Sequence, residues 1–153
     1  MSMAREIYQQ IIVDHGRQPR NFHELSAPCC SHTGHNRLCG DILRVHARID
    51  NARIEACSFT GDGCAISMAS ASLLTEVVRG QTVEAVEALF TDFHAALVEG
   101  ATFHAVTPAH ERLAVFLGVA EYPARVKCAT LAWQTLMAIL QQNLHQDAVV
   151  STE

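Results

Sequence analysis

The chain has 153 residues, of which 49% are hydrophobic, a size and composition that suit one compact domain covering 1–153, with flexible ends expected at about 1–3 and 145–153. Its 11 basic and 16 acidic residues give a formal net charge of −5 at pH 7, the wrong sign for a protein that mainly neutralises nucleic-acid phosphates. No apolar run approaches the roughly 20 residues of a membrane-spanning helix, and the first residues lack a signal-peptide pattern, so we expect a cytoplasmic protein with neither nucleic acid nor a membrane as partner.

The first half of the chain predicts one helix followed by a β-hairpin. Apolar residues recur every three or four positions over 4–14, which is typical of a short amphipathic helix. Apolar and polar residues then alternate over 42–49, as in a half-buried strand. The turn-forming pair at 50–51 leads to an antiparallel partner strand over 53–60.

The second half predicts helices only. The period becomes helical just after Cys64, and Gly80 stands where a helix C-cap belongs. Three short helices and one long helix follow, marked by Thr82 with Glu84, by 92–99, by Thr107 with Pro108, and by the apolar stripe over 127–144. Strands first and helices afterwards predict an α+β domain, with a small antiparallel sheet of about three strands and helices packed on one face.

Three of the six cysteines stand at the ends of these predicted elements. A reducing cytoplasm argues for metal or sulfur chemistry rather than disulfides. Cys39 precedes a strand, and Cys64 and Cys128 begin helices, where the helix dipole favours the reactive thiolate. Asp41, two residues after Cys39, adds an oxygen to three sulfurs, the number of ligands that a tetrahedral metal ion requires. Spacing alone leaves this site open against three small buried hydrophobic residues.

Long motifs resemble the SufU/IscU family of iron-sulfur cluster assembly proteins, whose members are related to the NifU amino-terminal domain. The matching stretches are DHGRQPRN at 14–21, CGD at 39–41, GDGCAISMASAS at 61–72 and YPARVKCATLAW at 122–133. Lys127 before the last Cys is similar to the SufU branch, where the IscU branch has His. Residues 100–121 correspond to an insertion of the SufU branch, and the similarity runs from about 7 to 140.

This resemblance implies a metal site and names its ligands. The implied ligands are Cys39, Asp41, Cys64 and Cys128, all present at the matching positions. The family usually has Asn-Pro shortly before the Cys-Gly-Asp motif, whereas this chain has Asn36-Arg37-Leu38. The loop that carries the first ligand therefore lacks the stiffening that a proline provides.

Three alternative functions are open for the same side chains, and the resemblance implies the first two of them. In the first, a zinc-dependent sulfurtransferase, Cys39 accepts sulfur from a SufS-like cysteine desulfurase and passes it to apo iron-sulfur proteins or a downstream scaffold. This is a sulfur relay rather than small-molecule catalysis. The second is a scaffold on which iron and sulfide assemble into a [2Fe-2S] cluster, and the third is a structural zinc module. The insertion and the missing His before Cys128 favour the first.

Other conspicuous residues have simpler interpretations. Cys57 on a strand face and Trp133 on a helical stripe are expected in the core. His15 is interpreted either as a structural cap or as a functional group. Arg125 and Lys127 either favour the Cys128 thiolate or are simply solvated. Four clustered residues have the types found in zinc sites: Cys29, Cys30, His32 and His35. Adjacent cysteines rarely chelate one ion, so we prefer a variable surface segment here over a second metal site.

Overall fold

The strands of this protein precede most of its helices, as predicted. The structure, a computed structural model, describes residues 3–104, 106–141 and 149–151. The strands are β1 (Cys30–Asn36), β2 (Asp41–Asp50), β3 (Arg53–Asp62) and β4 (Val149–Ser151). The helices are α1 (Met3–Arg17), α2 (Ala65–Val78), α3 (Val83–Val98), α4 (Pro108–Leu113) and α5 (Pro123–Gln141), with a 3₁₀ helix at Ala114–Glu121.

The sheet has the order β3-β2-β1-β4, in which β1, β2 and β3 are antiparallel and β4 runs parallel to β1. The predicted hairpin is confirmed, with its two-residue turn at Asn51 and Ala52, both of which have positive φ. The preference for a variable surface segment over 29–35 was wrong, because most of it forms β1 and buries His32.

Flexibility at the two ends of the chain stays a prediction, although part of each end forms regular structure. Residues 149–151 pair with β1 as the short strand β4, and Met3 already belongs to α1. The remaining residues of the two expected flexible ends, 1–2, 145–148 and 152–153, lie outside the described residues. The predicted final helical residues 142–144 also lie outside them.

The helix boundaries follow local signals at most positions. Cys64 caps α2, and Gly80 with φ +82° follows its end, while Thr82 and Thr107 cap α3 and α4. The two short helices predicted near Thr82 and over 92–99 are one continuous helix, α3. Within the described part of the chain, no helix combines the length and the apolar character that crossing a bilayer requires.

The hydrophobic core lies between one face of the sheet and the layer of α2 and α5. Leu43, Val45 and Phe59 are fully buried on the strands, and Trp133 is fully buried on α5, as predicted. Gly34 on β1 lets α5 approach closely, because a Cβ atom there would lie 2.1 Å from Thr135 Oγ1. This close approach brings the first turns of α5 to the end of the sheet where β1 and β2 meet.

Helix α1 is fastened to α2 through the motif at 14–21. His15 Nδ1 lies 2.7 Å from Ser72 Oγ, and the Arg20 amide donates to the same oxygen at 2.8 Å. Burial, followed by the nearby Arg20 charge, lowers the pKa of His15 below its usual value. Asn21 Nδ2 donates to Thr75 Oγ1 at 3.0 Å. These contacts favour the structural interpretation of His15, and they fix the end of α1 and the residues after it against the second half of α2.

Candidate metal centre

The turn between β1 and β2 positions the first two candidate ligands. Gly40 separates Cys39 from Asp41 and has φ +74°, a left-handed conformation that glycine adopts without strain. Cys39 lies exposed on this turn, whereas Asp41 is the first residue of β2 and is fully buried. The turn therefore presents one exposed thiol beside one buried carboxylate.

Two helices supply the other candidate ligands. Cys64 is the N-cap of α2, and its Sγ accepts a hydrogen bond from the Ser67 amide at 3.5 Å. Cys128 lies on α5 and is 1% exposed. The prediction that Cys128 begins its helix was wrong, because α5 starts at Pro123 and Cys128 falls in its second turn.

The side chains of Cys39, Asp41, Cys64 and Cys128 lie near one another. The ligand atoms of Cys39, Asp41 and Cys128 all lie within 4.8 Å of one another, and the Sγ atoms of Cys39 and Cys128 are 3.2 Å apart. Cys64 is outside that triplet, but its Sγ lies 3.9 Å from Asp41 Oδ2. Zinc-sulfur bonds of about 2.3 Å place tetrahedral ligands roughly 3.8 Å apart, so the spacing suits a single ion.

The charges at the site also suit a cation. Burial is the main cause that raises the pKa of Cys128, and hydrogen bonds with Cys39 and Cys64 raise it further. The expected lowering of this pKa by a helix N-terminus is therefore not found. A buried thiol beside a carboxylate ionises readily only where a positive charge compensates it, and three thiols with one carboxylate are a donor set that zinc accepts.

Asp41 is held in place from two sides. The Cys64 amide donates to its Oδ1 at 2.8 Å, which links the start of β2 to the start of α2. Gly63 permits this approach, because a Cβ atom there would lie 2.9 Å from Asp41 Oδ1 and 2.4 Å from Ser67 Oγ. The Asp41 carboxylate is therefore oriented before any ion binds.

Asn36 is a site residue that the sequence did not predict. Its fully buried side chain donates through Nδ2 to Asp41 Oδ2 at 3.3 Å and to Cys128 Sγ at 3.5 Å. Its Oδ1 has no hydrogen-bond partner among the described residues. Asn36 pairs with Asp41 across the β1–β2 ladder. Its place beside the candidate ligands could therefore be predicted only if β1 were already known to be a strand.

The profile of the NifU-like N-terminal domain family matches residues 7–129 of this chain. The chain belongs to this family. A zinc-dependent sulfurtransferase SufU of Bacillus subtilis is 34% identical over 133 residues, 85% of this chain and 86% of the relative. An iron-sulfur cluster assembly scaffold protein IscU of Streptococcus pyogenes is 32% identical over 146 residues, 94% of this chain and 88% of the relative.

A solved structure shows the same fold. It is a candidate iron-sulfur cluster assembly scaffold protein for the SUF system from Fervidobacterium islandicum AW-1, with a TM-score of 0.81 and 28% identity, covering 90% of this chain and 98% of that one. The resemblance seen in the motifs and the α+β fold predicted for this NifU-like domain are both confirmed.

The second group of cysteines and histidines in this NifU-like domain does not form a comparable cluster. The thiol of Cys29 faces the Leu25 carbonyl at 3.7 Å, and His32 is buried. Among the described residues, the group containing Cys39 is the one set of three or more His, Cys, Asp and Glu side chains with converging ligand atoms.

A cleft of about 680 Å³ leads to the candidate centre of the NifU-like domain. Cys39, Cys64 and Cys128 line it, α1 lies on one side, and the 3₁₀ helix lies on the other. Arg125 also lines the cleft, with its guanidinium 4.9 Å from the centre of the Tyr122 ring. The cleft therefore gives a reactant a route to the thiols.

Proposed function

We propose that this chain is a zinc-dependent sulfur acceptor in iron-sulfur cluster assembly. Its donor is a SufS-like cysteine desulfurase, and the sulfur passes on to a downstream scaffold or to apo iron-sulfur proteins. The observation that carries the proposal is the exposed thiol of Cys39, grouped with Asp41 and the buried Cys128 within 4.8 Å. We place this work in the cytoplasm, where the six free cysteines stay reduced.

Four side chains would hold the ion: Cys39, Asp41, Cys64 and Cys128. Bound zinc stabilises thiolates at neutral pH without oxidising or reducing them. The helical positions of Cys64 and Cys128 suit lasting ligands, because their backbones are fixed by α2 and α5. The carboxylate oxygen of Asp41 is a harder ligand than sulfur and binds zinc more weakly. We assign to Asp41 the role of easing ligand exchange at the ion.

Cys39 is the acceptor in this proposal, because an exposed turn moves at less cost than a helix. Its thiolate attacks the terminal sulfur of the donor's persulfide. A new sulfur-sulfur bond forms on Cys39, the donor's own sulfur-sulfur bond breaks, and the donor cysteine leaves as a thiolate. The exchange conserves electrons, so it requires no external oxidant or reductant.

The alternative is a scaffold that carries a [2Fe-2S] cluster on the same residues, since cysteine thiolates also bind such clusters. A relative described as an IscU scaffold favours it, at 32% identity. Lys127 in place of a histidine before Cys128 and the insertion at 100–121 favour the sulfur acceptor. A structural zinc module remains the third candidate and predicts no sulfur transfer.

The test combines metal analysis with desulfurase turnover. Purified protein should contain about one zinc ion per chain and should stimulate the desulfurase. Cys39→Ala should abolish the stimulation, whereas the control Cys29→Ala, at a half-buried thiol outside the centre, should retain it. Unchanged turnover with Cys39→Ala would remove Cys39 from the acceptor role.

Two further measurements separate the alternatives. Asp41→Ala should keep its metal and exchange it more slowly, so a metal-free variant would contradict the role given to Asp41. Reconstitution with iron and sulfide should give no transferable cluster. A visible-absorbing cluster that moves to an apo-protein would favour the scaffold instead.

A further inference from the structure

The three candidate sulfur ligands differ in the hydrogen bonds that they receive. Cys64 Sγ accepts from the Ser67 amide at 3.5 Å, and Cys128 Sγ accepts from Asn36 Nδ2 at 3.5 Å. Among the described residues, Cys39 Sγ receives no hydrogen bond from an N–H or O–H group, and its polar neighbour is the Cys128 thiol. A thiolate that accepts hydrogen bonds is a weaker nucleophile, because the donors stabilise its negative charge. This difference separates Cys39 from the two sulfurs on helices.

The Ser67 hydroxyl provides a second potential donor to Cys64. Its Oγ donates to the Cys64 carbonyl at 3.1 Å and lies 3.7 Å from Cys64 Sγ. The same carbonyl already accepts from the Met68 amide at 3.0 Å, so its hydrogen bonding does not depend on the hydroxyl. While Cys64 is a thiol, its S–H group can donate to Ser67 Oγ. Metal binding removes the thiol proton, and the Ser67 O–H is then the group that can donate to the sulfur.

The position of Ser67 directs its hydroxyl to Cys64 alone. Ser67 is fully buried in the first turn of α2, and among the described residues both side-chain hydrogen-bond contacts of its Oγ are with Cys64. Cys64 itself is half-buried and lines the cleft, so a small electrophile can reach its sulfur as well as that of Cys39. Access alone therefore does not determine which of the two sulfurs reacts.

We propose that Ser67 is a positioning residue that keeps Cys64 bound to the metal ion and leaves Cys39 as the reactive sulfur. Its hydroxyl donates to the metal-bound Cys64 sulfur, adds to the bond from the Ser67 amide and lowers the nucleophilicity of that sulfur. Cys39 receives no such donor and keeps its reactivity. The assignment rests on the proposed function in one respect, the binding of zinc by the four candidate ligands.

The experiment measures which cysteine of the zinc-loaded protein reacts first. Wild type, Ser67→Ala, Ser67→Thr and Ser70→Ala are treated with a substoichiometric amount of iodoacetamide, and peptide mass spectrometry of the singly modified protein gives the ratio of modified Cys64 to modified Cys39. Ser67→Ala should raise this ratio by at least about tenfold, the lower end of the effects found when a group that supports a metal ligand is removed. Ser67→Thr keeps a hydroxyl and should restore the wild-type ratio.

Ser70→Ala is the matched control for a merely structural role. Ser70 is also fully buried on α2, and its hydroxyl donates to a backbone carbonyl, that of Ala129, at 2.6 Å. Urea unfolding should show a loss of stability in both alanine variants, whereas the ratio should change in Ser67→Ala alone. In cobalt-substituted protein, the thiolate-to-metal absorption band should move to longer wavelength in Ser67→Ala and stay in place in Ser70→Ala, because only the first variant removes a donor to a ligand sulfur.

Three results would overturn the role of Ser67. The first is an unchanged ratio in Ser67→Ala. The second is an equal rise in Ser67→Ala and Ser70→Ala, since a general loosening of α2 would then explain both. The third is a Ser67→Thr protein of wild-type stability whose ratio matches that of Ser67→Ala. If the added methyl group destabilises Ser67→Thr, the comparison between the two alanine variants decides.

The outcome for the proposed function is separable. A wild-type chain that holds zinc but accepts no sulfur from the desulfurase would refute the sulfur relay, while the ratio would still decide the role of Ser67. A wild-type chain that accepts sulfur on Cys39, with the same ratio in Ser67→Ala, would support the relay and refute the role of Ser67. A chain that retains no zinc would refute both.

Discussion

Replacing Asn36 by alanine should loosen the metal centre without exposing it. The substitution removes the donors to Asp41 Oδ2 at 3.3 Å and to Cys128 Sγ at 3.5 Å. A hydrogen bond to a charged group is worth about 1.5–3 kcal/mol, and both distances are long, which places the loss near 1.5–2 kcal/mol. Zinc affinity should therefore fall about tenfold to thirtyfold, within the roughly 10–100-fold range for partners of metal ligands.

The assay is competition with a chromophoric zinc chelator at pH 7.5, repeated with cobalt to follow thiolate coordination by its absorption. Ser70→Ala is the matched control. It removes a buried hydrogen bond of 2.6 Å to the Ala129 carbonyl, between α2 and α5, without touching a candidate ligand. The control should lose about 1 kcal/mol of unfolding free energy and keep its zinc affinity. Unchanged affinity in Asn36→Ala would refute the orienting role of this amide.

Three further predictions concern packing, pH and thiol reactivity. Gly34→Ala would place a Cβ atom 2.1 Å from Thr135 Oγ1, so urea unfolding should show a loss of about 1–3 kcal/mol, partly recovered in the double variant with Thr135→Ala. Because burial lowers the pKa of His15, the stability from its neutral form should be complete above about pH 6.5 and lost as pH falls through the lowered pKa. The free energy of unfolding between pH 7.5 and 5 should therefore depend less on pH in His15→Gln. Burial raises the pKa of Cys57 to about 12, so iodoacetamide at pH 8 should modify Cys39 in the folded metal-free protein and reach Cys57 only after unfolding, as peptide mass spectrometry can measure.

The elements with local signals were predicted well. Helix α2 is bounded by a capping Cys64 and by Gly80 with positive φ, and both signals act within one turn of the helix. The hairpin of β2 and β3 follows from alternation and a two-residue turn. Pro123 occupies the first position of α5, where proline is favoured, and a helix that starts there has Cys128 in its second turn rather than at its N-terminus.

Strand β1 could not be predicted from apolar alternation, because its buried positions are not occupied by large apolar residues. His32 is a buried polar residue, Gly34 must be small beneath α5, and Asn36 serves the centre. The Cys39-Gly40-Asp41 turn was predicted as part of a site because its residues are adjacent in sequence. The cleft required the packing of α1 against the 3₁₀ helix, a long-range contact that no local pattern encodes.

The short distance between the thiols of Cys39 and Cys128 affects how the metal-free centre would respond to oxidation by peroxide. Peroxide would reach the exposed Cys39 first and convert it to a sulfenic acid. Without metal, the Cys128 sulfur lies 3.2 Å from that of Cys39, and its attack on the sulfenic sulfur would close a disulfide and release water. Such damage would end at a bond that cellular reductants can reverse, rather than at the irreversible sulfinic acid. On this reasoning Cys128 would act as the resolving thiol for Cys39.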